Sequence, residues 1–203
     1  MRGLLIFTSL VLIVAVCGAV FPVKGEVGLY DRMIRLHVIA NSDSPEDQEL
    51  KLAVRDAVLE ASRGILSGAD GVQSAREALE GSVPVLLDVC RMVISERGYG
   101  YDVTIGTGYE QYPEKSYDGF TLPSGDYYSV RVLIGGAAGK NWWCVLFPPL
   151  CLGAAKGRED GAAVMASAGL SQEQVNIMTE NGDGRYVLKF RIVEFFRRVF
   201  SAK

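Results

Sequence analysis

The sequence predicts an α+β domain in which a small mixed or antiparallel sheet of about four strands packs against a pair of long helices. Residues 32–40 alternate between apolar and polar side chains as a strand does, and residues 127–134 alternate again. Between them, residues 45–65 carry an apolar stripe at helical spacing. Long helices placed before adjacent strands are typical of α+β folds. The 203 residues suffice for one domain with a hydrophobic core.

The N-terminal residues 1–25 are interpreted as a signal peptide or membrane anchor that precedes the domain. Arg2 supplies a short positive region, and residues 4–23 contain no charged side chain. Small residues up to Ala19 suit cleavage by a signal peptidase after that position. The alternatives are an uncleaved anchor, because about 20 residues just span a bilayer core, and lipidation at Cys17, which the bulky residue before it disfavours. Each interpretation places the body of the protein outside the cytoplasm.

The two helices have recognisable start signals. Ser44 can cap the first helix, Pro45 suits its first position, and Asp47 completes a capping box. A second helix is predicted over residues 74–96, with an interruption at Pro84.

The later strands must pair with the first one across the helices. Residues 101–107 predict a strand, and residues 121–126 predict a turn before the strand at 127–134. Because the strand at 32–40 precedes both helices, its partners are distant in sequence. The order of strands in the sheet is therefore left open.

The main domain is expected to span residues 30–152. Residues 153–184 are rich in glycine, alanine and acidic side chains, and they are interpreted as a flexible loop or linker with one short helix at 171–179. Residues 185–203 are expected to return to the domain as a final strand and a short basic-aromatic helix.

Composition and motifs exclude several classes of function. The net charge of −3 gives no argument for nucleic-acid binding. His37 is the only histidine and is expected to be structural or exposed, and without a CxxC motif no zinc site is predicted. No glycine-rich loop joins a strand to a helix as phosphate binding requires. Cys90 lies at an apolar helical position, so no nucleophile–base pair, catalytic residue or cofactor is predicted.

Residues 141–151, Asn-Trp-Trp-Cys-Val-Leu-Phe-Pro-Pro-Leu-Cys, form the most unusual segment. It contains both tryptophans and two of the four cysteines. Adjacent tryptophans in a strand point to opposite faces. Since two helices cover only one face of a small sheet, at least one of Trp142 and Trp143 is expected to face solvent or a partner, where tryptophan is a typical hot spot. The alternative places most of these aromatic side chains in the core.

Cys144 and Cys151 are predicted to form a disulfide. Export would place them in an oxidising compartment, and Pro148 and Pro149 could turn the chain so that the two cysteines meet. The alternative is a buried strand with two free thiols. Cys90 is left over as a core thiol.

Asn41, Ser42, Asp43 and Ser44 form a polar loop at a strand end, next to a helix N-terminus. Such a location can bind an anion or hold a catalytic residue. The preferred interpretation is that these residues cap the helix and form the turn.

Two long motifs resemble the stage II sporulation protein R family. The first is Ile-Arg-Leu-His-Val-Ile-Ala-Asn-Ser-Asp-Ser at residues 34–44, with the helix that follows, and the second is residues 141–151. Residues 120–133 fit between them. The resemblance covers roughly residues 30–152 and gives no role to residues 153–184.

The resemblance implies an exported signalling protein rather than an enzyme. Members of this family are secreted from the forespore into the space between the forespore and mother-cell membranes. There they trigger a membrane-embedded aspartic-type protease that cleaves the pro-form of the mother-cell sigma factor, sigma-E. We hypothesise that contact with this protease involves Trp142, Trp143, Phe147, Pro148 and Pro149, together with Asn41, Ser42 and Asp43.

Two other functions are open from the sequence. An exported enzyme, such as a thiol-dependent or wall-active hydrolase, would need Cys90, Cys144 or His37 for its chemistry. An envelope-binding protein would use the tryptophan-rich segment or the basic-aromatic residues 195–200, and residues 4–23 could also associate with a membrane.

Overall fold

The computed structural model describes residues 28–117, 120–150 and 158–180. Its strands are β1 (Ile34–Ile39), β2 (Val103–Tyr112), β3 (Lys115–Tyr117), β4 (Phe120–Leu122), β5 (Gly125–Ile134) and β6 (Asn141–Phe147). Its helices are α1 (Pro45–Ile65), α2 (Val72–Gly81), α3 (Val83–Glu96), α4 (Arg158–Ser167) and α5 (Gln172–Glu180), and a 3-10 turn covers Tyr30–Arg32. A four-stranded mixed sheet packs against helices, so the predicted α+β class is confirmed.

The sheet has the strand order β2-β5-β1-β6. Strand β1 pairs in parallel with β5 and antiparallel with β6, whereas β2 and β5 pair antiparallel. Strand β1 therefore lies inside the sheet, between two strands that follow it by about 90 and 100 positions in the sequence. Strands β3 and β4 form a separate two-stranded hairpin.

Helix α1 begins at its predicted residue. The Ser44 hydroxyl accepts a hydrogen bond from the backbone N–H of Asp47 at 3.2 Å, and Pro45 occupies the first turn. The Asp47 carboxylate does not return to Ser44 as a capping box would require. It accepts hydrogen bonds from the Ser42 hydroxyl at 2.5 Å and the Asn41 amide at 2.8 Å, so it joins the helix to the end of β1.

The second predicted helix is divided into α2 and α3. Helix α2 begins two residues before the predicted start, because Gly71 is its N-cap and donates its N–H to the Ser74 hydroxyl at 3.2 Å. The interruption falls beside Pro84, as predicted. Pro84 lies in the first turn of α3, where its missing N–H costs nothing.

The first face of the sheet packs on α1 and α3. Alternate apolar side chains of β1, β5 and β6 meet the apolar stripes of the two helices, and each is at most 2% exposed. Burying one such side chain contributes about 1.5–3 kcal/mol. The largest group comprises Ile34, Leu36, Val38, Val130, Val132, Leu146, Leu50, Val54, Val58, Leu86 and Ile94.

The second face of the sheet is also covered, which the sequence analysis did not anticipate. The covering layer consists of the 3-10 turn, the β3–β4 hairpin and helices α4 and α5. Its buried apolar side chains are Leu29, Met33, Phe120, Leu122, Leu150, Met165, Leu170, Val175 and Met178. Strand β1 is consequently buried on both faces.

Two segments that the sequence analysis treated as irregular contain regular structure. Residues 121–126, predicted as a turn, supply the end of β4 and the start of β5. Residues 153–184, interpreted as a flexible loop or linker with one helix at 171–179, contain both α4 and α5 in their described part. Met165 and Met178 are fully buried, and this apolar contact explains why the segment packs on the domain.

The expectations for the two chain ends fall outside the described residues. These are the signal or anchor segment at residues 1–25 and the final strand and helix at residues 185–203. In the part of the chain that the structure describes, no helix has the length and apolar character needed to cross a membrane.

The loop between β5 and β6 packs tightly against the junction of β1 and α1. The Gly139 N–H donates to the Ala40 carbonyl at 3.0 Å. A Cβ atom added at Gly139 would lie 2.2 Å from the Ser42 carbonyl oxygen, which is closer than any real contact. This close approach requires glycine.

We predict that Gly139→Ala lowers the free energy of unfolding by about 2 kcal/mol, because the loop or the Ser42 backbone must shift to admit the methyl group. Urea unfolding of the full chain measures the change. Gly106→Ala in β2 is the matched control, since its added Cβ would meet nothing within 4 Å. Equal stabilities of the two variants would contradict the close packing.

Candidate partner-binding groove

A groove with a volume of about 470 Å³ lies beside strand β6. Helix α1 forms one wall, the β3 strand forms the other, and β6 itself forms the floor. The lining side chains are Arg55, Asp56, Leu59, Lys115, Tyr117, Asn141, Trp142, Trp143 and Cys144. The groove thus brings together both tryptophans of the segment that the sequence analysis singled out.

Trp142 lies on the helix side of the sheet. It packs against the first core from its outer edge and is half-buried. The Arg55 guanidinium is 4.9 Å from the centre of the indole, and Arg55 also pairs with Asp56 at 2.7 Å. A cation over an indole at an exposed site contributes about 0.5–1 kcal/mol, so Arg55 holds the ring against α1.

Trp143 points to the opposite face, as the pleat of a strand requires. Its ring lies 5.7 Å from the His37 ring and 6.3 Å from the Tyr112 ring, measured between centres. We expected at least one tryptophan to face solvent or a partner, because two helices cover only one face of the sheet. Both are half-buried instead, since the second layer covers the other face.

The remaining residues of the predicted contact segment are less accessible. Phe147 is 6% exposed and Pro148 is buried, so these side chains pack inside the fold, whereas Pro149 is half-buried. Cys144 is fully buried at the floor of the groove. Cys151 lies outside the described residues, and the Cys144–Cys151 disulfide stays a prediction.

The polar loop after β1 is engaged in internal hydrogen bonds. The Asn41 side chain donates to Asp47 at 2.8 Å and accepts from the Gly136 N–H at 2.9 Å. The Asp43 carboxylate accepts from the Lys140 N–H at 2.7 Å. These bonds fix the β5–β6 loop and the start of β6, in agreement with the preferred interpretation of a turn and cap. The loop therefore positions one end of the groove.

His37 is buried on the second face, where it joins a chain of polar side chains. Its Nδ1 lies 2.9 Å from a Glu110 carboxylate oxygen, and its Nε2 lies 2.9 Å from the Asn141 amide oxygen. The other Glu110 oxygen accepts from the Ser129 hydroxyl at 3.1 Å. Because the carboxylate stands between the histidine and the serine, His37 does not contact the hydroxyl that a hydrolase would activate. The chain of contacts positions Asn141 at the groove.

The thiol considered for an enzymatic function is in the first core. Cys90 is fully buried, and burial raises the pKa of its thiol to about 12. The thiolate is the nucleophilic form of cysteine. Cys90 packs among the helices on one side of the sheet, whereas His37 faces the layer on the other side. These two residues therefore do not form a nucleophile–base pair.

Arg35 is a site that the sequence analysis missed. Its guanidinium is fully buried, 4.0 Å from the centre of the Tyr112 ring and 5.0 Å from that of Tyr127. Nη2 donates to the Tyr117 hydroxyl at 2.6 Å. Within the described residues, Nε and Nη1 have no hydrogen-bond partner. The alternating pattern of β1 puts Arg35 on the face of the sheet that we expected the helices to leave uncovered. Three tyrosines on the strands nearby were the available signal of a second layer.

The energetics of Arg35 are nearly balanced. Each buried donor without an acceptor costs about 1–3 kcal/mol, and each desolvated cation–π contact returns about 2 kcal/mol. Burial raises the pKa of the Tyr112 and Tyr117 phenols, so both remain neutral around the cation. The tyrosine rings thus hold a full positive charge that lacks an anionic partner among the described residues.

The structure is an α+β domain with an aromatic groove along the edge strand of its sheet. The profile of the family described as Stage II sporulation protein R matches residues 30–156. The chain is also 31% identical over 188 residues to the Stage II sporulation protein R of Bacillus subtilis (strain 168), covering 84% of this chain and 83% of that relative.

The chain therefore belongs to the stage II sporulation protein R family. Membership gives it a role in sporulation and places it in a signalling family rather than a known enzyme family. No solved structure matches the chain.

Asp47 gives the stability a dependence on pH. Hydrogen bonds from Ser42, and next from Asn41, hold the pKa of this carboxyl below its ordinary value of 3.8. As the pH falls, the unfolded chain therefore binds the proton first. The stabilisation is present above about pH 4 and is lost as the pH falls through the lowered pKa.

We predict that Asp47→Asn is less stable than the wild type at pH 7 and loses less stability between pH 4 and pH 2. Urea midpoints across this range measure both effects. Asp56→Asn, whose carboxylate is 64% exposed, is the control and keeps the wild-type profile. An unchanged slope in Asp47→Asn would refute the role of this carboxylate.

We predict that Cys90 does not react with iodoacetamide at pH 8 while the chain is folded, because its thiol is buried and its pKa is about 12. In 6 M urea the same thiol reacts, which confirms that it is chemically intact. Peptide mapping by mass spectrometry identifies the modified cysteine. Rapid modification of Cys90 in the folded chain would revive the thiol-dependent hydrolase.

Proposed function

We propose that this chain is an exported sporulation signal that activates a membrane-embedded aspartic-type protease, which then cleaves the pro-form of sigma-E. Family membership supports the sporulation role. The observation that carries the proposed contact is the groove beside β6, in which Trp142 and Trp143 reach the surface from opposite sides of one strand. Export from the forespore through residues 1–25 is part of the same proposal.

The groove has the properties of a protein-binding surface. Its two indoles are half-buried and held by neighbouring rings and by Arg55, so binding freezes little additional motion. Charged side chains at the rim, Arg55, Asp56 and Lys115, can orient a partner. Aromatic anchors surrounded by polar side chains are the usual composition of an interaction hot spot.

An activator works by binding the active state of its target more tightly than the inactive state. Shifting a protease from about 1% to 99% active requires a preference of about 5.5 kcal/mol. A hot-spot tryptophan contributes about 2 kcal/mol or more. Two such anchors would supply most of this preference, provided that they meet only the active state. Loss of one would then reduce activation without abolishing it.

We predict that Trp142→Ala and Trp143→Ala each weaken binding to the protease and so reduce cleavage of pro-sigma-E. A loss of about 2 kcal/mol corresponds to an affinity roughly 30-fold lower. The assay follows cleavage in a non-sporulating cell that contains the chain, the protease and pro-sigma-E. Trp142→Ala is the more direct variant, because Trp143 also contacts His37 and Tyr112 on the second face of the sheet.

The matched control is Met92→Ala on α3, which removes a side chain that is 53% exposed and does not line the groove. Thermal unfolding establishes that each variant is folded. Full cleavage with both folded tryptophan variants would remove the groove as the contact surface.

A further inference from the structure

The guanidinium of Arg35 is incompletely satisfied. The rings of Tyr112 and Tyr127 stabilise the charge through cation–π contacts, but they accept no hydrogen bond from Nε or Nη1. Buried donors in native proteins almost always have a partner, and a group that lacks one requires an explanation. Among the described residues, Arg35 forms no ion pair, and the Tyr117 hydroxyl is its single hydrogen-bond acceptor.

Tyr117 connects Arg35 to the groove. It lines the groove, accepts the Nη2 hydrogen bond of Arg35, and donates its own hydroxyl proton to the Trp143 carbonyl at 3.4 Å. Nη2 belongs to both edges of a guanidinium that can hold a carboxylate through two parallel hydrogen bonds. One N–H of Nη2 is directed to each edge. The Tyr117 hydroxyl accepts one of these two hydrogens, so its displacement would free that edge for a carboxylate.

Tyr117 is carried by the short strand β3, whose other two residues, Lys115 and Ser116, are exposed. The β3–β4 hairpin has three residues in each strand and, within the described residues, pairs with no other strand. A two-stranded hairpin is marginally stable by itself. Tyr117 stacks on Phe120 with ring centres 4.9 Å apart, and Phe120 is buried in the second core. Opening the way to Arg35 therefore requires rotation of the Tyr117 side chain rather than movement of the whole hairpin.

We propose that Arg35 binds a carboxylate carried by a peptide that lies in the groove, and that Tyr117 turns aside to admit it. The groove suits an extended peptide, because the edge strand β6 forms its floor and the rings of Trp142, Trp143 and Tyr117 line it. Lys115, which also lines the groove, adds positive charge there. The inference names the chemistry of the partner and rests on the groove's role in the proposed function.

The direct test titrates the ¹⁵N-labelled full chain with three nine-residue peptides of alanine and threonine. The first peptide has a central glutamate and an amidated C-terminus. The second has a central glutamine and an amidated C-terminus. The third has a central glutamine and a free C-terminal carboxylate. The readout is the Nε–H resonance of Arg35, which is identified by its loss in Arg35→Lys. We expect the glutamate peptide to shift this resonance and to bind at least tenfold more tightly than the amidated glutamine peptide.

The third peptide distinguishes the source of the carboxylate. A response to it assigns the site to a chain terminus as well as to a side chain, and supports the proposal. Equal affinities for all three peptides, or no shift of the Arg35 resonance with any, would overturn the proposal.

Two variants give independent evidence. Tyr117→Phe removes the hydroxyl that occupies Nη2, so it should bind the glutamate peptide threefold to tenfold more tightly than the wild type does. Arg35→Met should lose the discrimination between glutamate and glutamine and should keep or raise the thermal midpoint, because it removes a buried charge without a counter-ion. If Arg35→Met does not fold, Tyr117→Phe decides, and unchanged affinity in that variant contradicts the inference.

The outcome is separable from the proposed function. Reduced cleavage by Trp142→Ala together with no peptide discrimination would leave the signalling role standing without the Arg35 site. Peptide discrimination together with full cleavage by the tryptophan variants would leave the carboxylate site standing without the proposed contact surface.

Discussion

The burial of β1 on both faces is the constraint on which the rest of the domain depends. Its neighbours β5 and β6 occupy both of its edges. Its side chains project alternately to the two faces of the sheet, and nearly all of them are buried. One face is apolar and needs only the helices α1 and α3. The other face carries Arg35 and His37, which require rings, a carboxylate and an amide from elsewhere. Strands β2, β5 and β6 supply most of these groups. The second layer adds the Tyr117 hydroxyl and closes this face of the sheet.

That requirement also produces the groove. The β3–β4 hairpin belongs to the layer that covers Arg35, and its Tyr117 becomes the wall opposite α1. Trp143 faces the same layer and contacts His37, whereas Trp142 faces α1. The surface proposed for signalling is therefore built from residues that also pack around the central strand.

Local patterns predicted what local interactions determine. The Ser44 cap, the interruption at Pro84 and the opposite directions of Trp142 and Trp143 follow from a helix terminus, a missing N–H and the pleat of a strand. Each depends on residues that are close in sequence. The structure agrees with all of them.

The second layer could not be predicted in this way. An alternating strand looks the same whether its polar face meets water or a covering layer, so Arg35 was not recognised as buried. The helices of residues 158–180 are short and weakly apolar, and only contact with the sheet shows why Met165 and Met178 are there. The bond from Asn41 to Gly136 joins residues 95 positions apart, which no local pattern reveals.

The two roles of Tyr117 couple the groove to the interior of the domain. Its hydroxyl is the single acceptor that Arg35 has among the described residues, and its ring is part of the surface that a partner would touch. A ligand that displaces Tyr117 must satisfy Arg35 better than a neutral hydroxyl does, and a carboxylate meets this requirement through a charge-assisted pair of hydrogen bonds. Binding of a peptide in the groove and pairing of its carboxylate with Arg35 would therefore strengthen each other to the same extent. In the proposed complex, the packing of the central strand would therefore also select the charge of the partner. An apolar peptide could fill the groove, but only an acidic one would pair with the buried cation.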